Sequence, residues 1–140
     1  MPSGKILVAD DELHMTYILS FKLERAGYNV ITAGDGQEAF ALACAHHPDL
    51  VITDFQMPTL SGLDMALKLR KNPATAHIPL LMLTARGHRV GADELAMTNI
   101  RRLLGKPFSI RELLTTVEHI LAKEPARPDA AAPAMNITRP

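Results

Sequence analysis

A single cysteine, Cys44, stands in 140 residues, so no intrachain disulfide can form and nothing requires an oxidising compartment. No apolar run approaches the roughly 18 to 20 residues that cross a bilayer, and the N-terminus lacks the basic-then-apolar order of a secretory signal. Cytoplasm is therefore the expected location, with no membrane partner. An excess of one charge is missing too. The 15 basic and 15 acidic residues cancel, which leaves no electrostatic footprint for nucleic acid, and no direct nucleic-acid partner is expected. Tryptophan is absent and aromatics make up 4% of the chain, whereas 47% is hydrophobic. That balance predicts an aliphatic core, and the length is enough to bury one.

What is present is a repeat of short apolar runs: Ile6 to Ala9, Asn29 to Thr32, Leu50 to Thr53, Pro79 to Leu83 and Ile100 to Leu104. Most are near-continuous rather than alternating, as suits strands covered on both faces, and the intervals between them are long enough for crossover helices. The pattern predicts a (βα)5 chain: an α/β domain with a five-stranded, doubly wound parallel sheet. Helix starts are signalled by Asp35 with Glu38, by Ser109 with Glu112, and by Ser61. Ile110, Leu113, Leu114, Val117, Ile120 and Leu121 form one apolar stripe at helical spacing. From Lys123 onward the composition turns to Pro, Ala and isolated charges. The expected organisation is one domain over residues 1–122 and a flexible tail over 123–140.

The charged groups sit at the ends of these runs. Asp10 and Asp11 follow the first, Asp54 the third and Lys106 the fifth, while Thr84 follows the fourth. In an open parallel sheet those ends share one edge, so the residues would meet in one pocket. Taken singly, each is a common cap or loop residue; together they make a site. Three carboxylates within about 5 Å would repel by roughly 3 kcal/mol per pair at an effective dielectric near 20. A hard divalent cation removes that cost, and Mg2+ suits a few carboxylates plus displaceable waters. One carboxylate could then attack a phosphoryl donor, with Lys106 and the Thr84 hydroxyl meeting the added oxygens. An electron carrier of the same fold is disfavoured, because Asp10-Asp11-Glu12 would repel a cofactor phosphate. An aspartyl-nucleophile phosphatase needs a second acid where Gln56 stands.

The set Asp10-Asp11-Glu12, Asp54, Met57-Pro58 through Gly62, Thr84-Ala85 and Lys106-Pro107-Phe108 resembles the receiver domain of two-component response regulators, the CheY-like superfamily. The resemblance spans about residues 5–122 and implies the flavodoxin-like strand order 2-1-3-4-5. It implies Asp54 as acceptor of a phosphoryl group from a histidine kinase or histidine phosphotransfer protein, and a phosphorylation-dependent surface for an unknown downstream protein. Asp11, Asp54 and the Gln56 carbonyl would hold Mg2+, with Asp10 acting mainly through water. Gln56 and Arg86 resemble tuning sites for phosphate lifetime. The implied role is phosphoacceptor rather than enzyme, with self-phosphorylation from small donors and autodephosphorylation, in a stand-alone receiver that is a monomer or weak dimer. Two alternatives are a receiver-like binding module that needs no phosphorylation and a receiver fragment of a larger regulator.

Two departures from the family pattern stand out. The position three residues before the lysine, usually an aromatic switch, is Leu103, which would have to couple through aliphatic packing. Gly91-Ala92-Asp93 falls earlier than the family's similar sequence, and Arg101 and Arg102 lie in a strand expected to be buried, their heads snorkelling to the margin of the fourth and fifth helices. On the first helix, Met15, Ile18, Leu19, Leu23 and Ala26 form a buried stripe, with Lys22 snorkelling within it. Leu13, Tyr17 and Phe21 then face away as a docking row, or are partly buried if the helix is rotated. His14, His46 and His47 read as surface helix residues, and Cys44 as a small packed hydrophobe.

Overall fold

A computed structural model of the chain describes residues 4–85 and 90–123. Five strands and five helices alternate in it: β1 (Lys5–Ala9), α1 (Leu13–Arg25), β2 (Asn29–Ala33), α2 (Gly36–His46), β3 (Leu50–Asp54), α3 (Gly62–Lys71), β4 (Leu80–Thr84), α4 (Ala92–Ala96), β5 (Ile100–Gly105) and α5 (Ile110–Lys123). All pairings are parallel and the sheet order is β2-β1-β3-β4-β5. This is the flavodoxin-like order that the resemblance implied. The tail beyond Lys123 lies outside the described residues.

The runs of β1, β3 and β4 are buried on both faces, as expected, whereas β2, at one edge of the sheet, is buried only at Ala33. Along β1, Ile6 and Val8 join one core with Leu19 and Leu23 of α1 and Leu113 and Val117 of α5. Leu7 and Ala9 point the other way, into a second core with Ala39 and Ala43 of α2 and Met65 and Leu69 of α3. Each fully buried Leu or Ile contributes about 1.5–3 kcal/mol, so the two layers around β1, β3 and β4 hold the sheet. Burial stops at the edge. In β5 only Leu104 is buried, while Arg101, Arg102 and Leu103 are exposed.

The exposure corrects the expectation of a buried fifth strand. Among the described residues no sixth strand pairs with β5, and its register skips a residue, Leu80 facing Ile100 but Leu81 facing Arg102. An extra residue of this kind breaks the simple alternation of side chains. Both arginines consequently lie on an open edge, a charged guard against further pairing, instead of being tucked into a buried strand.

The helix starts follow the chemistry of their caps. Asp35 accepts from the Glu38 amide at 2.8 Å, Ser61 from the Asp64 amide at 3.1 Å and Ser109 from the Glu112 amide at 3.0 Å. Glu38 departs from a full capping box, its carboxylate accepting from Gly34 N at 2.8 Å rather than from the Asp35 amide. In α1, Leu19, Leu23 and Thr16 are buried, Met15, Ile18 and Ala26 are half-buried, and Lys22 is exposed. The helix is therefore turned as the stripe predicted. Leu13, Tyr17 and Phe21 are 79%, 71% and 45% exposed, which settles the orientation in favour of an outward row.

Candidate functional site

The C-terminal ends of β1, β3, β4 and β5 gather Asp10, Asp54, Thr84 and Lys106 at one edge of the sheet. Parallel pairing does this directly: Ala9 is in register with Thr53, Asp54 with Leu83, and Thr84 with Gly105. Side chains far apart in sequence thus leave neighbouring strands together. Carboxylate oxygens of Asp10, Asp11 and Asp54 lie within 4.8 Å of one another. Lys106 Nζ is 2.8 Å from Asp54 Oδ1 and 4.0 Å from Asp10 Oδ2. The Lys106 amide also donates to the Thr84 carbonyl at 2.8 Å, tying the lysine loop to the end of β4.

The three carboxylates differ in environment. Asp10 is buried, Asp54 half-buried and Asp11 exposed. Asp10 Oδ1 accepts from the Glu12 amide at 2.9 Å, which turns the chain into α1; Glu12, not Asp10 or Asp11, is that helix's N-cap. Asp10 Oδ2 is buried and finds no hydrogen-bond donor among the described residues. An acceptor in that position is destabilising. Burial pushes the Asp10 carboxyl above its ordinary value of 3.8; the Glu12 amide opposes this, the charge of Asp54 adds to it, the Lys106 charge opposes it and that of Asp11 adds. Burial alone would lower the Lys106 ammonium, but its hydrogen bond to Asp54 and the charges of Asp54, Asp10 and Glu12 prevail and raise it above 10.5.

Lys106 is thus a fixed cation beside Asp54, yet one ammonium does not balance three carboxylates. An all-oxygen cluster with an orphaned buried oxygen fits a hard divalent ion such as Mg2+. Gln56 is exposed in the loop between β3 and α3, and Ala85 is exposed just past β4. Arg86 lies outside the described residues. Leu103, 40% exposed on β5, faces away from the buried core. His14, His46 and His47 are exposed, and Cys44 is half-buried with Asn72 Nδ2 at 3.5 Å from its sulfur.

Sequence reasoning missed the packing beneath the loop that follows Asp54. A Cβ on Gly62 would collide with the Asp54 carbonyl oxygen, and one on Gly36 with the Leu60 carbonyl oxygen. The signal was there in part. Glycine stands at the first helical position of both α2 and α3, where the lack of a Cβ permits a close backbone approach.

The response regulator receiver domain model matches residues 6–118. The alkaline phosphatase synthesis transcriptional regulatory protein PhoP of Bacillus subtilis is 39% identical over 137 residues, covering 92% of this chain and 51% of its own. The DNA-binding dual master transcriptional regulator RpaA of Synechocystis is 36% identical, with 91% of this chain and 53% of RpaA covered. The chain spans about half the length of these curated relatives. Their names remove support for the expectation of no nucleic-acid partner, since the balanced charge of this chain says nothing about a longer protein. Among solved structures, the chemotaxis response regulator CheY4 of Vibrio cholerae superimposes with a TM-score of 0.78 at 32% identity, covering 85% of this chain and 99% of CheY4. The receiver domain of sensor histidine kinase PA1611 from Pseudomonas aeruginosa, which has a magnesium ion coordinated in its active site cleft, shares the fold with a TM-score of 0.78 at 22% identity, covering 87% of this chain and 100% of its own. From its sheet order, the convergence of its acidic residues and these matches, the chain belongs to the family of response regulator receiver domains.

Proposed function

We propose that this receiver accepts a phosphoryl group on Asp54 from a histidine kinase or histidine phosphotransfer protein and thereby switches a protein-interaction surface. The observation that carries the reading is the Asp54 carboxylate, 2.8 Å from a lysine whose charge is held, inside a cluster of three carboxylates. Asp10, Asp11, Asp54 and the Gln56 carbonyl would hold Mg2+, and the orphaned Asp10 oxygen supports that ligand set. When bound, the ion offsets the negative charge that a carboxylate and a phosphoryl group bring together. An Asp54 oxygen attacks phosphorus, a P–O bond forms, the donor's P–N bond breaks and its electron pair returns to the imidazole. Lys106 neutralises a phosphoryl oxygen, and Thr84 at the end of β4 supplies a hydroxyl, with the Ala85 amide beside it.

The donor's docking surface is assigned to α1. Leu13, Tyr17 and Phe21 stand exposed in a row. An apolar hollow of about 490 Å³ lies between Met15 and Ile18 of that helix and the Lys106-Pro107-Phe108 loop. Tyr17→Ala or Phe21→Ala should slow phosphotransfer from the cognate donor while leaving acetyl phosphate chemistry intact; unchanged transfer removes this surface from the proposal. Arg101, Arg102 and Leu103 form the candidate downstream face. A second reading, the receiver portion of a longer regulator, is favoured by the half-length coverage of PhoP and RpaA. Immunoblotting of source cells against this domain gives the length of the natural protein.

Intact-mass analysis with acetyl phosphate and Mg2+ tests the chemistry. The wild type should gain one phosphoryl group only when the ion is present, and Asp54→Ala should gain none. A gain that survives in Asp54→Ala moves the acceptor elsewhere.

A further inference from the structure

The loop between β3 and α3, residues 55–61, carries Gln56 and connects Asp54 to Gly62. Its base is closed tightly. The Gly62 amide donates to the Phe55 carbonyl at 2.7 Å, and Gly62 has no room for a side chain against the Asp54 carbonyl. Its far end is held by a different element, the start of α2. Thr59 has φ of 66°, and the Leu60 amide donates back to the Pro58 carbonyl at 2.7 Å across it. A two-residue bond spanning a positive φ is the strained form of γ-turn, and a β-branched residue is poorly suited to it. Something outside the loop must hold Thr59 there.

Asp35 does. The Thr59 hydroxyl donates to Asp35 Oδ1 at 3.2 Å and accepts from the Gln37 amide at 3.4 Å, while the same Asp35 oxygen caps α2 through the Glu38 amide. The Gly36 amide reaches the Pro58 carbonyl at 3.5 Å, and Gly36 packs against the Leu60 carbonyl with no space for a Cβ. One helix N-terminus thus fixes three successive residues of the loop. Its own position is set by the Ala39 and Ala43 core.

We propose that Asp35 and Thr59 are positioning residues that hold the loop in the conformation that presents the Gln56 carbonyl beside Asp54. The inference rests on the proposed ligand set. It assigns Asp35 a task beyond capping α2, since losing the tie frees Thr59 from a conformation that the loop does not favour alone. Neither residue is among those assigned to the phosphoryl group. Their effect is therefore on the concentration of Mg2+ required, not on the rate once the site is filled.

Thr59→Val removes the hydroxyl at an exposed position and leaves the α2 cap in place. Thr59→Gly removes both hydroxyl and strain, and Thr59→Ser and Asp35→Asn retain the bonding groups. Each is titrated with Mg2+ by amide chemical shifts and then phosphorylated by acetyl phosphate across a range of Mg2+, with thermal melts as controls. Val should raise the Mg2+ dissociation constant about tenfold and Gly, which takes the positive φ without strain, clearly less than Val, both leaving the rate at saturating Mg2+ within about twofold of wild type. Ser and Asn should stay near wild type. A Val variant that binds Mg2+ as the wild type does, or a Gly variant that loses as much affinity as Val, overturns the positioning role. A wild type that binds Mg2+ but gains no phosphoryl group defeats the phosphoacceptor reading alone, and the titration then decides the positioning role. A wild type that binds no Mg2+ overturns both.

Discussion

The two flanks of the site are built differently. On one side β1 and β3 enter it from the middle of the sheet, where Leu7, Val8, Val51 and Ile52 are sealed between two helical layers. On the other, β5 is an edge strand with one buried residue, and the adjoining α4 is five residues long with none buried. Asp10 and Asp54 therefore stand on positions that cost much to displace, whereas the Leu103 face can rearrange with little loss of packing. A switch needs that division, because a phosphoryl group shifts an equilibrium only by its differential affinity for two accessible states.

The contrast is broken most directly by truncation. Ile52→Ala should cost about 3–4 kcal/mol in urea unfolding, and Leu103→Ala less than about 1 kcal/mol. Equal costs would remove the distinction between a fixed centre and an adaptable edge. Two glycines sharpen it. Gly62→Ala drives a methyl into the Asp54 carbonyl and should cost about 2 kcal/mol together with weaker Mg2+ binding, while Gly105→Ala, with nothing within 4 Å of its Cβ, should stay within about 0.5 kcal/mol.

Asp10 marks where the centre is itself destabilised. Because folding raises its pKa, the folded protein holds that proton to higher pH than the unfolded chain does, and Asp10's contribution to stability falls as pH rises from 3.8 through the raised value. Asp10→Asn should flatten this limb in melts without Mg2+. At neutral pH it should gain about 1 kcal/mol and lose Mg2+ affinity. Lys106 acts at the other end of the scale. Its pKa is also raised by folding, so its contribution is complete below 10.5 and disappears as pH rises through the folded value. The smallest effect is at the edge: Leu103→Tyr should leave stability within about 0.5 kcal/mol. If it also leaves partner binding unchanged in both phosphorylation states, Leu103 is no part of the switch.

Much of this was legible in the chain. The apolar runs marked every strand to within a residue or two, and Ser61 and Ser109 marked helix starts by the amides they cap. Asp10, Asp11, Asp54 and Lys106 were readable as one site because parallel strands deliver their ends to a common edge. The exposure of β5 was not. Arg101 and Arg102 interrupt the run from Ile100 to Leu104 but do not say whether a neighbour covers it, because burial depends on having neighbours on both sides. Thr59 was equally opaque, since threonine carries no signal for positive φ and is held there by Asp35, 24 residues away.

The sequence by itself determined the alternation of strands and helices, the apolar faces and the residue types at the strand ends, because these follow from local periodicity and side-chain chemistry. Only the tertiary structure decided that Asp10 is buried with an orphaned oxygen, that Arg101 and Arg102 lie on an open edge, and that α2 holds the loop that follows Asp54. Burial, charge separation and backbone close approach are properties of what packs against a residue, and that is supplied by chain segments far away in sequence.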